Sequence, residues 1–198
     1  MANIIDSTYF KGEILLTNKT DLATDITEAI TRYEKEILIA LLGYKTYKDM
    51  IATPTVEPYL SLINGAEFEF TFDGITQLQK WEGLKNTDKE SLIAYYVFYK
   101  YFERTFSKSS GVNVVKPKAE ASETTTPLWK MINAWNRMIE LYGFIPYCWN
   151  GYDVKIIQPT SDSVYDNLPS AYNYIVANVA DFPDWIFTPL KPINPFML

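Results

Sequence analysis

The sequence predicts a mainly α fold: a helical bundle core with one β-hairpin, a long loop and an extended C-terminal arm. Three observations carry this reading. Apolar residues recur at three- and four-residue steps over several stretches of helix length. One short stretch switches to strict alternation and then reaches Asp73-Gly74, a hairpin turn signal. The final stretch, 181–198, holds four prolines among aromatics, which forbids helix. Residues 1–180 read as one domain and 181–198 as the arm, in a chain of 198 residues, ample for a real hydrophobic core.

The first helix is predicted over Thr20 to Leu42, where Ile26, Ile30, Tyr33, Ile37 and Leu41 share a stripe and Gly43 stands at the C′ position. Thr24 and Thr27, each followed by acids, are start signals for it. A short second helix, Tyr44 to about Ile51, stops before Pro54, and Pro58 fits the first turn of a third that ends at Asn64-Gly65. The hairpin spans about 66–82: Phe68, Phe70 and Phe72 alternate with Glu67, Glu69 and Thr71, so one face is aromatic and the other polar. An isolated hairpin is only marginally stable, so this one must lean on helices or on a neighbour.

Thr87-Asp88-Lys89-Glu90 reads as a capping box opening a second long helix, to about Ser107. Leu92, Tyr95, Tyr99, Phe102 and Phe106 form one stripe and Ile93, Tyr96, Val97 and Tyr101 a second. A helix apolar over most of its circumference is central to a core or shared between subunits. The stretch 107–126 breaks all periodicity and is expected to be a long loop that orders on docking. Thr126-Pro127 then starts a helix with the stripe Leu128, Ile132, Trp135, Ile139 and Tyr142, ended by Gly143. A final helix is predicted from about Asp166 to Ala180, and beyond it the arm should lie on a surface, with Trp185, Phe187 and Phe196 as anchors.

Composition narrows the function classes. The chain has no histidine, one cysteine (Cys148) and 31 Phe, Tyr and Trp residues. Ser-His and Cys-His nucleophile pairs are therefore impossible, as are zinc sites of any common type. No Gly-rich phosphate loop, HExxH or CxxC occurs, and no cofactor is expected. Carboxylates are present at Glu67 and Glu69 on one strand face and at Asp153, Asp162 and Asp166. Solvated strand and loop acids are the commoner reading of both sets than an acid–base or calcium site. Cys148, within Phe144-Ile145-Pro146-Tyr147-Cys148-Trp149, reads as a packed thiol. The net charge of −6 is unevenly spread: 76–118 holds eight Lys/Arg against four Asp/Glu, a local +4 that leaves −10 elsewhere. The acidic balance argues against sequence-independent nucleic-acid binding. No secretory signal and no membrane-spanning run is evident, so the expectation is a soluble protein made and used in a cytoplasm.

The order of pieces is itself informative. Tyr33-Glu34 precedes Leu38 and Leu41-Leu42-Gly43-Tyr44, which passes directly to Tyr47. The hairpin leads to Trp81-Glu82-Gly83-Leu84, and Ile93-Ala94-Tyr95-Tyr96-Val97-Phe98-Tyr99 opens the long helix. Gly111-Val112 begins the loop, Ala134-Trp135-Asn136-Arg137-Met138 marks the next helix, and Pro183-Asp184-Trp185 and Ile193-Asn194-Pro195-Phe196 lie near the end. From about Thr20 to Leu198 this resembles the head-to-tail connector (adaptor, or neck ring) proteins of tailed bacteriophages of the Bacteroidetes-phage, crAss-like type.

The resemblance implies a non-enzymatic structural virion protein: a helical connector domain that forms a ring in the phage neck, joins portal to tail and continues the DNA conduit. It implies about twelve copies per ring, contacts with the portal protein and with the next neck or tail protein, DNA passing without sequence-specific binding, and no membrane partner. The location implied is the virion neck, after assembly in the bacterial host cytoplasm. An acidic wall would suit such a conduit because it repels phosphate. The interface candidates are Val112, Val114, Val115, Lys116 and Lys118 in the loop, with Trp185, Phe187 and Phe196 in the arm. The alternatives are a carbohydrate-binding or adhesion module using exposed aromatics, and a small acid–base hydrolase.

Overall fold

Helical periodicity becomes six α-helices in the computed structural model, which describes residues 3–16, 20–72, 75–106, 109–110, 113–114, 128–143, 146–147, 155–156 and 170–193. They are α1 (Thr20–Leu42), α2 (Tyr44–Ala52), α3 (Tyr59–Asn64), α4 (Leu92–Phe106), α5 (Leu128–Tyr142) and α6 (Ala171–Ala177). Strands β1 (Ala66–Phe72) and β2 (Ile75–Trp81) form the antiparallel hairpin, in register Ala66 opposite Trp81 and Phe72 opposite Ile75. Two-residue pairings join β3 (Ser109–Ser110) to β4 (Asn113–Val114) and β5 (Pro146–Tyr147) to β6 (Lys155–Ile156). The fold class is mainly α with one hairpin, as the periodicity requires. No helix among the described residues is long and apolar enough to cross a membrane.

Helix α4 is the centre. Every residue from Leu92 to Phe98 is buried, and α1 and α5 of the same subunit both pack along it. Its apolar circumference is thus used internally, and of the two readings open to an all-round apolar helix the core one holds. Polar ties set the register: the Tyr96 hydroxyl donates to Glu36 Oε1 at 2.6 Å, and Arg137 on α5 donates to Glu90 at 3.1 Å and Glu140 at 2.8 Å.

Three expected helix starts are corrected. Thr24 and Thr27 lie inside α1, which begins at Thr20. Thr87 does not cap α4, because residues 86–90 form a turn in which Asn86 and Lys89 take positive φ and the Asp88 amide donates to Asn86 Oδ1. Ser91 caps α4 instead: its hydroxyl accepts from the Ile93 amide at 3.2 Å and donates to the buried Leu84 carbonyl at 2.6 Å. Helix α6 begins after Ser170, whose side chain accepts from the Asn173 amide, and not near Asp166. The expected loop at 107–126 and Cys148 lie outside the described residues, apart from the β3–β4 pairing.

The hairpin leans on the subunit's own helices. Phe68 meets Tyr174 of α6 edge-on at 5.4 Å, and Trp81 stacks on the same ring at 6.4 Å. Its base is locked by the orphan carbonyls that end α3: Leu62 accepts from Trp81 Nε1 (2.9 Å) and the Leu84 amide (3.1 Å), and Ile63 from the Lys85 amide (2.9 Å). That close approach needs Gly83, since a Cβ there would lie 2.5 Å from the Asn64 carbonyl carbon.

Candidate interaction surfaces

The C-terminal arm is built onto the end of α1. The last carbonyls of a helix have no partner within it, and here the arm supplies donors: Thr188 N–H to Ala40 O (2.9 Å), Trp185 Nε1–H to Leu41 O (2.7 Å) and Ile186 N–H to Leu42 O (3.2 Å). Lys45 and Asp184 form an ion pair beside this seam. Gly43 makes the seam possible, because a Cβ there would sit 2.9 Å from Ile186 Cβ and the backbone has φ +76°. The arm then runs along α5 toward that helix's N-terminus. The Tyr142 hydroxyl donates to Thr188 O (2.6 Å), Trp135 Nε1 to Lys191 O (2.8 Å), and Asn136 exchanges two bonds with Ile193 at 2.9 and 3.1 Å.

Rings fill the space underneath. Phe187 lies 4.9 Å from Tyr142 and 4.8 Å from Tyr172, and Trp185 lies 5.5 Å from Tyr172. Burial pushes the Tyr142 hydroxyl pKa well above the ordinary phenol value, so it stays a donor to Thr188. Phe182, at the start of the arm, is only 2% exposed. Two of the expected interface residues, Trp185 and Phe187, are therefore half-buried on their own subunit. Val114 pairs with Ser109 across β3–β4; Val112, Val115, Lys116, Lys118 and Phe196 lie outside the described residues.

The N-terminal segment has no counterpart in the sequence reading. Ile4, Ile5, Tyr9, Phe10 and Ile14 are all buried in the core, through two short 3-10 turns at Ser7–Tyr9 and Gly12–Ile14. Glu34 of α1 holds the segment: the Ile4 amide donates to its two carboxylate oxygens at 2.9 and 3.0 Å, and the Ile5 amide at 3.2 Å. Burial pushes this carboxyl above the usual glutamate value, against the opposing pull of those amides.

Beside that segment lies a cleft of about 570 Å³ bounded by Tyr9, Lys11, Glu13, Lys89, Tyr95 and Arg137. Burial, with the Glu13 carboxylate nearby, holds the Tyr95 hydroxyl pKa far above the ordinary phenol value. No cluster of three or more metal-ligating side chains occurs among the described residues. The carboxylates Glu67 and Glu69 are exposed on the outer face of the hairpin, whereas Asp153, Asp162 and Asp166 lie outside the described residues. No protein-family model, curated protein or solved structure matches the chain.

Proposed function

We propose that the protein is a structural subunit that assembles head-to-tail into a ring, of the kind that connects portal to tail in a phage neck. The observation that carries this reading is the division of labour along the chain. Leu92–Phe98 of the aromatic helix is buried and the described part of the arm is docked on α1 and α5 of the same subunit, while large apolar side chains stand exposed elsewhere, Leu78 on the hairpin and Tyr44 and Ile186 around Gly43 among them. A subunit with unlike exposed apolar sites suits heterologous association, which gives a ring where the rotation closes. The resemblance to connector proteins and the acidic balance point the same way. The carbohydrate-binding alternative calls for aromatic rings on solvent-facing strands, and it is less well supported because Phe68 is turned onto Tyr174.

Electron microscopy of the full chain mixed with a purified portal ring tests the proposal. The expected image is an added circular layer on the portal. Isolated particles of subunit size with a bare portal would overturn it.

A further inference from the structure

The cleft has an aromatic and apolar floor and a charged rim. Tyr9, Tyr95 and Ile14 are buried beneath Lys11, Glu13, Lys89, Glu90 and Arg137. Part of the rim is already paired, with Arg137 held by Glu90 and Glu140. Lys11 and Lys89 are the other two cations of the rim. Lys89 donates to the Thr8 hydroxyl and lies 5.5 Å over the Tyr9 ring, with Asp6 the carboxylate that feels its charge. Neither lysine forms an ion pair among the described residues.

The hairpin carries the complementary chemistry. Its inner face is spent on Tyr174, so its outer face, where Glu67 opposes Lys80 and Glu69 opposes Leu78, is presented away from the core. Leu78 is 71% exposed, more than any other large apolar side chain among the described residues. Glu69 lies directly across from it and Glu67 diagonally, the two about 7 Å apart on the same strand face, and neither forms an ion pair among the described residues. Lys80 is paired with Glu82 at 3.0 Å.

We propose that the hairpin of one copy docks in the cleft of the next, with Leu78 over the Tyr9–Tyr95–Ile14 floor and Glu67 and Glu69 against Lys11 and Lys89. This names the contact for the ring reading above and rests on it. Hairpin and cleft are different surfaces, so the contact repeats head-to-tail. Copies of a chain with net charge −6 repel one another, and a local pairing of two acids with two lysines sets the register against that repulsion.

A photo-crosslinking residue placed at position 78 of the full chain tests the contact, read by peptide mapping between differently isotope-labelled copies. The expected crosslinks join position 78 to the cleft residues of another copy. Lys11→Glu with Lys89→Glu should weaken association by about tenfold or more, and adding Glu67→Lys with Glu69→Lys should restore it. All five altered positions, Leu78 included, are at least partly exposed, and circular dichroism should confirm that every variant keeps its helices. An oligomer whose crosslinks map elsewhere and which ignores both charge reversals would overturn this docking and leave the ring reading standing. A chain that stays monomeric alone and with portal would overturn both.

Discussion

Replacing Gly43 by alanine attacks the seam between the arm and α1 at one atom. The residue has φ +76° and ψ 158°, a region essentially reserved for glycine, which costs an L-residue about 1–3 kcal/mol. The new Cβ would meet Ile186 Cβ at 2.9 Å and its amide nitrogen at 3.2 Å, well inside ordinary carbon contact. The arm must retreat, and the Ile186–Leu42 hydrogen bond is lost with it, for about 1 kcal/mol more. Gly43→Ala should therefore destabilise the chain by about 2–4 kcal/mol. At this chain length that lowers Tm by roughly 4–16 °C. Urea denaturation, with the slope checked for constancy, measures it. A cycle against a chain ending at Phe182 isolates the arm's share, because there the clash has no partner and only backbone strain remains. A loss below about 0.5 kcal/mol, or an equal loss in both backgrounds, would refute the reasoning.

Trp185→Phe keeps a ring over Tyr172 but leaves the Leu41 carbonyl without its donor, and should cost about 1–2 kcal/mol in urea denaturation. Ser91→Ala removes both the α4 cap and the donor to the buried Leu84 carbonyl. It should cost about 1–3 kcal/mol by the same measurement. Glu34 has a folded pKa raised by burial, so its contribution is complete below the unfolded value near 4.5 and is lost as pH rises through the higher folded value. The stability difference between wild type and Glu34→Gln should accordingly shift against wild type between pH 4.5 and neutrality. A shift in the opposite direction would show that the Ile4 and Ile5 amides outweigh desolvation.

The helices and hairpin were legible because their signals are local. The Ile26–Ile30–Tyr33–Ile37–Leu41 stripe, the Phe68–Phe70–Phe72 alternation and the Asp73-Gly74 turn each lie within one element. Caps were less legible. Thr87-Asp88-Lys89-Glu90 has the right spacing, but the demand of the buried Leu84 carbonyl selects Ser91, and nothing near Thr87 reveals that carbonyl. The proline-rich arm was readable as extended and docked. Its seat was not, since it depends on orphan carbonyls at Ala40, Leu41 and Leu42, more than a hundred residues away. The N-terminal segment carries no such signal, because Ile4-Ile5 and Tyr9-Phe10 have no period. A hint existed in Glu34, a carboxylate beside the core stripe of α1 that needs donors from elsewhere. The cleft joins residues from three separate stretches, which no spacing rule brings together.

Native mass spectrometry of the full chain, alone and with a portal ring, over a range of concentration and salt, tests the central claim most directly. The account predicts a closed oligomer of one discrete copy number, formed alone or templated by the portal. Only a monomer under every condition, with no mass added to the portal, would contradict it.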